Sequence, residues 1–363
     1  MHMDLSQDVT SLVRALVDTP SESGSERALT DAIEAGLRAH AHLEVVRDGD
    51  TLVARTHFGR AERIVLAGHI DTVPANGNLP SRLDGDTLWG LGSCDMKGGL
   101  AVLLHLAATL PEPTRDITFL AYECEEVSAD RNGLKRLAET RPELLAADFA
   151  VLMEPTDGEV EGGCQGTVTV DVTARGARAH TARSWMGENA IHKMKPLLDL
   201  LSAYEPRRPV VDGITYHEGL NAVFASGGVA RNVVPDACTI SVNHRYAPDR
   251  NLAEAEAHLR ELFAGYEVEV VDASEAARPG LQDPAARAFV RSVTDVELEH
   301  AVELGKVRAK LGWTDVSLFS GLGVPAVNFG PGEPTLAHHK DERVSLESVA
   351  ACEKRLRSWL SGG

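Results

Sequence analysis

The chain predicts an α/β fold: a discontinuous catalytic domain with a mostly parallel central sheet and helices on both faces, plus an inserted α+β domain of βαββαβ order. Three observations predict it. Apolar runs at 63–67, 117–122 and 149–153 alternate with stretches of helical spacing. Each run leads into polar residues, His69, the pair Glu125 and Glu126, and Glu154 respectively, which places a site along one edge of the sheet. After Gly162 and Gly163 the pattern changes to the alternation of a half-exposed strand at 168–173. At 363 residues the chain exceeds the size at which one core usually stops growing. The expected division is 1–165 as the first part of the catalytic domain, 166–276 as the insert, and 277–363 as the second part.

Taken in order, 5–17 and 24–39 carry the Leu, Val and Ala spacing of amphipathic helices, with Ser23 or Ser25 placed to cap the second. Strands at 43–48 and 51–56 meet at the turn Asp48-Gly49-Asp50. The strand at 63–67 leads to His69. A helix over 98–110 opens with two glycines, a strand at 117–122 runs into the glutamates, 133–139 reads as a helix, and a strand at 149–153 ends at Glu154. In the insert, the strand at 168–173 is followed by a helix at 188–203, strands at 222–230 and 237–245, a helix at 252–263 and a strand at 266–271. Arg278, Pro279 and Gly280 mark the return, followed by helices at 284–294 and 297–310 and a closing strand at 326–329.

Composition narrows the function classes. The hydrophobic share of 43% and charged share of 25% are those of a globular protein with a sizeable core. A formal charge of −18 repels phosphate backbones and anionic lipid, so neither nucleic acid nor membrane is expected as a partner. The first residues lack a basic region followed by an apolar run, and no segment offers the ~20 apolar residues of a membrane span. The expected location is the cytoplasm. Five cysteines without paired spacing suit reduced, buried thiols.

The chemistry lies in short clusters. His69 and Asp71, two apart at a strand end, face the same way, so Asp71 is placed to accept the ring N–H that a metal-binding histidine leaves over. Asp95 sits in a glycine-rich turn before a helix, where a carboxylate either caps the helix or bridges two ions. Glu125 and Glu126 are adjacent and their side chains diverge, so one can bind a cation while the other carries a proton. Glu154 is a further hard oxygen donor, and the loop His338-His339-Lys340-Asp341-Glu342 supplies imidazole. Two histidines and three carboxylates, one of them shared, are a sufficient donor set for two zinc ions. Three carboxylates against two dications leave one positive charge, so an anionic substrate is acceptable despite the acidic surface.

In this ordered set the chain resembles the di-zinc metallopeptidases that include carboxypeptidases, dipeptidases and deacylases of N-acyl amino acids. The likeness runs from His69 to His338 and the final helix. It implies two zinc ions per subunit, replaceable by cobalt or manganese. One would be held by His69 and Glu154, the other by Glu126 and His338, with Asp95 between them. Glu125 would be the general base, Asp71 would orient His69, and the Asp95–Met96 bond is often cis in that family. His338 is preferred to His339 because the family spacing is His-x-x-x-Glu, met by Glu342.

The insert is similar to that family's dimerisation domain. The segment Gly176-Ala177-Arg178-Ala179-His180 with Gly187-Glu188-Asn189-Ala190-Ile191 resembles the signature in which the histidine acts in the partner subunit's site on the oxyanion. A homodimer with His180 in that role is therefore expected, and domain closure with hinges near 162–163 and 278–279. Asn232, Arg245 and Thr314 are the positions carried over as substrate-binding. Residues 154–167 and 179–187 look like the branch that removes a succinyl group from LL-2,6-diaminopimelate. Cys164, Gln165 and Thr167 stand where the better-known branch has an arginine-containing turn. Related deacylases and dipeptidases of the same family are the alternatives, followed by a metal-binding relative without activity.

Overall fold

The computed structural model describes residues 3–362. Helices α1 (Val9–Val17) and α2 (Arg27–Arg38) precede the hairpin of β1 (Glu44–Asp48) and β2 (Thr51–Arg55). Then come β3 (Arg63–His69), β4 (Arg82–Asp84), β5 (Thr87–Trp89), α3 (Gly98–Thr109), β6 (Asp116–Tyr122), α4 (Gly133–Thr140), β7 (Phe149–Leu152) and β8 (Val160–Gly162). The next stretch holds β9 (Gly166–Arg175), α5 (Lys195–Ser202), β10 (Val210–Val211), β11 (Ile214–Thr215), β12 (Gly219–Gly227), β13 (Ala237–Tyr246), α6 (Leu252–Leu262) and β14 (Glu267–Ser274). The chain closes with α7 (Pro284–Thr294), α8 (Leu298–Glu303), β15 (Val307–Ala309), α9 (Val316–Gly321), β16 (Ala326–Asn328), β17 (Arg343–Ser345) and α10 (Leu346–Ser361).

Two units result. The first contains the residues up to Gly162, Pro279–Arg308 and the residues from Leu318 onward. Among its described residues, eight strands form the main sheet in the order β1-β2-β6-β3-β7-β16-β8-β15. The four inner strands β6, β3, β7 and β16 run parallel, and antiparallel strands flank them. Parallel inner strands read as continuous apolar runs because both faces are covered, and β6 and β7 are buried throughout. The parallel direction also brings the residues after β3, β6 and β7 to one edge. Helix α3 is buried over nearly its whole circumference. It can lie this close because Gly99 has no side chain: a Cβ there would stand 1.9 Å from the Met153 carbonyl oxygen. Phe149, Phe289, Phe329 and Trp359 join α7 and α10 to the sheet with ring centroids 4.8–6.1 Å apart.

The second unit contains Gly163–Arg278 and Ala309–Ser317. Its sheet, β12-β13-β9-β14, is antiparallel throughout. Val168, Val170 and Val172 of β9 and Ile240 and Val242 of β13 point into a core with Leu197 of α5 and Ala255 and Leu259 of α6. Alternate residues on the opposite face, including Thr169, Asp171, Thr173, Ser241 and Asn243, are half-buried and polar.

Four elements differ from the sequence reading. The expected helix at 188–203 is regular only over Lys195–Ser202: Glu188 pairs with Ala177 as a β-bridge, and Pro196 sits where a helix starts. The expected helix at 297–310 stops at Glu303, where Gly305 turns the chain with φ of +73° into β15. Ser23 and Ser25 do not cap α2, whose N-cap is Glu26 without a side-chain bond. The segment Ala309–Ser317, placed by the sequence reading in the catalytic part, groups with the second unit. Lys310 O accepts from Gln165 N, and Trp313 Nε1 and Ser317 Oγ donate to Glu275 O. The five cysteines are all buried and none is in a disulfide. Among the described residues no helix is long and apolar enough to cross a membrane.

Candidate metal centre and active site

Residues separated by up to 269 positions meet at the sheet edge of the first unit. His69, Asp95 and Glu154 each offer a ligand atom within 4.8 Å of the others, and so do Asp95, Glu126 and His338. Asp95 is common to both groups. Its Oδ1 is 3.2 Å from His69 Nε2, and its Oδ2 is 3.5 Å from His338 Nε2. Each oxygen thus faces a different ring. His339 is in neither group.

The donor set fits a pair of zinc ions. Ligand atoms about 2.1 Å from a tetrahedral ion stand about 3.4 Å apart, close to both Asp95–histidine distances. His338 Nε2 to Glu126 Oε1, at 2.8 Å, is a hydrogen-bond distance and would open by about 0.6 Å around an ion. The electrostatics point the same way. The hydrogen bond to Glu126 lifts the His338 imidazole to about 9 against the effect of burial, with Asp95 adding to it. Burial opposes the charged form of His69, yet Asp71 and Asp95 outweigh it and raise that ring well above its ordinary value. A cluster that draws protons onto its imidazoles draws other cations too.

Buried carboxylates hold the loops that carry these groups. His69 Nδ1 lies 3.1 Å from the Asp71 carbonyl and 3.4 Å from its carboxylate. The same carboxylate accepts from the N–H groups of Glu125 (3.0 Å) and Glu126 (3.1 Å) and from Ser23 Oγ (2.6 Å). Burial would raise Asp71, but His69, Ser23 and the Glu125 N–H hold it at about 2. Glu26 accepts from Cys124 N, and Glu123 from Asp50 N and Arg136. Glu26, Glu123 and Cys124 also meet the spacing of an ion site, but these donors already engage Oε1 of both glutamates. The backbone is strained at both loops, since Cys124 and His338 have φ of +56° and +62°, a cost of order 1 kcal/mol that the surrounding contacts must cover. Glu125 belongs to neither ligand group, and its charge contributes to the field on His69. The Asp95–Met96 peptide is cis.

The remaining residues singled out in the sequence lie in the second unit. His180 is exposed, and its Nδ1 accepts from Ala182 N at 3.0 Å. In a neutral ring that acceptor role puts the proton on Nε2. Asn232 O accepts from Thr181 N, so Asn232 and His180 are neighbours. Arg245 is half-buried on β13, opposite Gly219 and Thr167. Thr314 is buried, and its carbonyl accepts from Cys164 Sγ at 3.6 Å. Gln165 is buried and donates to His217 O. Cys164 and Gln165 therefore do not replace the charge of the arginine turn in the better-known branch.

Residues 65–361 match the model of peptidase family M20/M25/M40, and the chain belongs to that family. It is 50% identical over 363 residues to the DapE protein of Mycobacterium tuberculosis, covering 99% of this chain and 100% of that one. It is 46% identical over 369 residues to the succinyl-diaminopimelate desuccinylase of Corynebacterium glutamicum, covering 99% and 98%. Among solved structures, a Staphylococcus aureus tripeptidase superposes with a TM-score of 0.77 at 22% identity over 99% of this chain and 98% of that one. An M20 family metallo-carboxypeptidase from Sulfolobus solfataricus superposes with a TM-score of 0.74 at 14% identity over 98% and 99%. Both share the fold.

Proposed function

We propose that this chain is a zinc-dependent amide hydrolase that converts N-succinyl-LL-2,6-diaminopimelate and water to succinate and LL-2,6-diaminopimelate. The observation that carries the hydrolytic reading is Asp95, with one oxygen toward each histidine of two three-residue donor groups. The full-length identity to the Corynebacterium enzyme supports the choice of substrate.

His69 and Glu154 would hold one ion, Glu126 and His338 the other, and Asp95 both. Two ions there would supply an acidified water and a polarised amide carbonyl. Glu125 then takes a proton from the attacking water and delivers it to the amine nitrogen as the C–N bond breaks. Asp71 holds the Glu125 and Glu126 main chain so that base and ligand keep their separate directions. The His180 Nε2–H donates to the developing oxyanion, a role that suits the tautomer its Nδ1 contact selects. Asn232, Arg245 and Thr314 are assigned to the substrate, with Arg245 suited to a bidentate carboxylate contact.

The acting form is proposed to be a homodimer, with His180 serving the partner's site. Supporting this is β12, an edge strand exposed over residues 221–227, with Val223 and Phe224 60% and 64% exposed. Such an edge invites pairing with a second copy. The deciding assay incubates the purified zinc-loaded protein with succinyl-diaminopimelate, acetylornithine and a dipeptide panel. Turnover highest on the succinylated compound supports the proposal; preference for acetylornithine or a dipeptide replaces it with the corresponding activity.

A further inference from the structure

Glu342 lies outside both ligand groups, yet its carboxylate binds the turn that carries Asp95. Oε2 accepts from Gly92 N at 2.9 Å, and Oε1 accepts from Cys94 N at 2.9 Å and Asp95 N at 3.0 Å. The side chain is only 2% exposed. Burying a carboxylate is costly unless its lone pairs are used, and here main-chain N–H groups use them. The turn needs such an acceptor. Gly92 has φ of +73°, and Asp95 and Met96 depart from helical angles, so these N–H groups are not absorbed by a regular helix.

The same residue belongs to the other side of the centre. It follows His338 by four positions and directly precedes β17, whose Arg343 pairs with Trp89 of β5 just before the turn. The Glu342 carbonyl accepts from Gly90 N at 3.1 Å. A second tie lies nearby, Cys94 Sγ to Glu333 O at 3.0 Å. Glu342 is thus a link between the loop bearing His338 and the turn bearing Asp95, segments some 247 residues apart.

We infer that Glu342 is a positioning residue of the metal centre, one that fixes Asp95, shared by both donor groups, relative to His338. The inference rests on the proposed reading of those residues as zinc ligands. Replacing Glu342 by Gln keeps the shape but turns an NH2 group toward at least one N–H of the turn. Loss of an outer partner of this kind costs about 10–100-fold in metal affinity.

The test is a zinc titration of the demetallated full-length protein in competition with a chelating dye, beside a thermal melt without zinc. Wild type, Glu342→Gln and, as a ligand control, Asp95→Asn are compared. Glu342→Gln should weaken zinc binding 10–100-fold while its metal-free melt stays near wild type, and excess zinc should restore its turnover. Zinc affinity within twofold of wild type overturns the inference alone. A wild type that binds no zinc overturns it together with the metal-centre reading. If Glu342→Gln does not fold, Glu342→Asp, which keeps the charge on a shorter arm, decides: weaker zinc binding supports the positioning role and unchanged affinity overturns it.

Discussion

Glu125 and Glu126 are adjacent, and their backbone N–H groups bond the two oxygens of one carboxylate, that of Asp71. That arrangement separates the proposed base from the proposed ligand within one loop. Glu125→Ala should lower kcat by about 10²–10⁴ with zinc content unchanged, as checked by steady-state kinetics and metal analysis of the same sample. Near-normal turnover would remove Glu125 as the base. Asp71→Asn should reduce zinc affinity about 10–100-fold, because it loosens His69 and the glutamate loop together. His69, Glu126 and Glu154 were legible as residue types after apolar strands, Asp95 as a carboxylate in a glycine-rich turn and His338 as imidazole in a loop. Ser23, Glu26 and Glu342 were not, since Ser23 bonds the Asp71 carboxylate 48 residues away, and Glu26 and Glu342 bond main chain 98 and about 250 residues away. A serine before a helix reads as a cap, and nothing local marks Ser23 as a partner of Asp71.

At the scale of elements, the buried strands and α3 were legible because continuous apolar runs permit few alternatives. The short segments were not. Pro196 and the pairing of Glu188 with Ala177 shortened one helix, and Gly305 ended another, through contacts the helical spacing does not record. Gly99 shows how an element sets the site, since α3 begins just after Asp95 and presses on the carbonyl that precedes Glu154. Gly99→Ala should destabilise the first unit by about 1–3 kcal/mol in chemical denaturation and weaken zinc binding.

In β13, the His244 ring is fully buried beside Tyr246 and His258, and neither ring nitrogen has a hydrogen-bond partner. Burial holds its pKa down at about 4, with His258, Arg250 and Arg207 adding to the shift and Glu218 opposing it. The unfolded chain takes up this proton near pH 6.5 and the folded one only near 4. Its contribution is therefore complete above 6.5 and is lost as pH falls from 6.5 to 4. Between pH 7 and 4, wild type should lose about 3 kcal/mol more stability than His244→Leu. Equal losses in urea titrations at the two pH values would contradict this.

For the whole molecule, the exposed edge of β12 and the exposed His180 belong to one proposal, a two-fold dimer in which each subunit completes the other's site. Light scattering should give twice the chain mass, and Phe224→Lys should shift it toward the monomer with loss of turnover. Mixed dimers of Glu125→Ala and His180→Ala should regain activity that neither parent has. The central claim, a pair of ions sharing Asp95, is tested most directly by anomalous diffraction at the zinc edge from crystals grown with zinc. The account predicts two peaks about 3.5–4 Å apart, one beside His69 and Glu154 and the other beside Glu126 and His338, with Asp95 between them. A single peak, or zinc bound elsewhere with these five side chains apart, would contradict it.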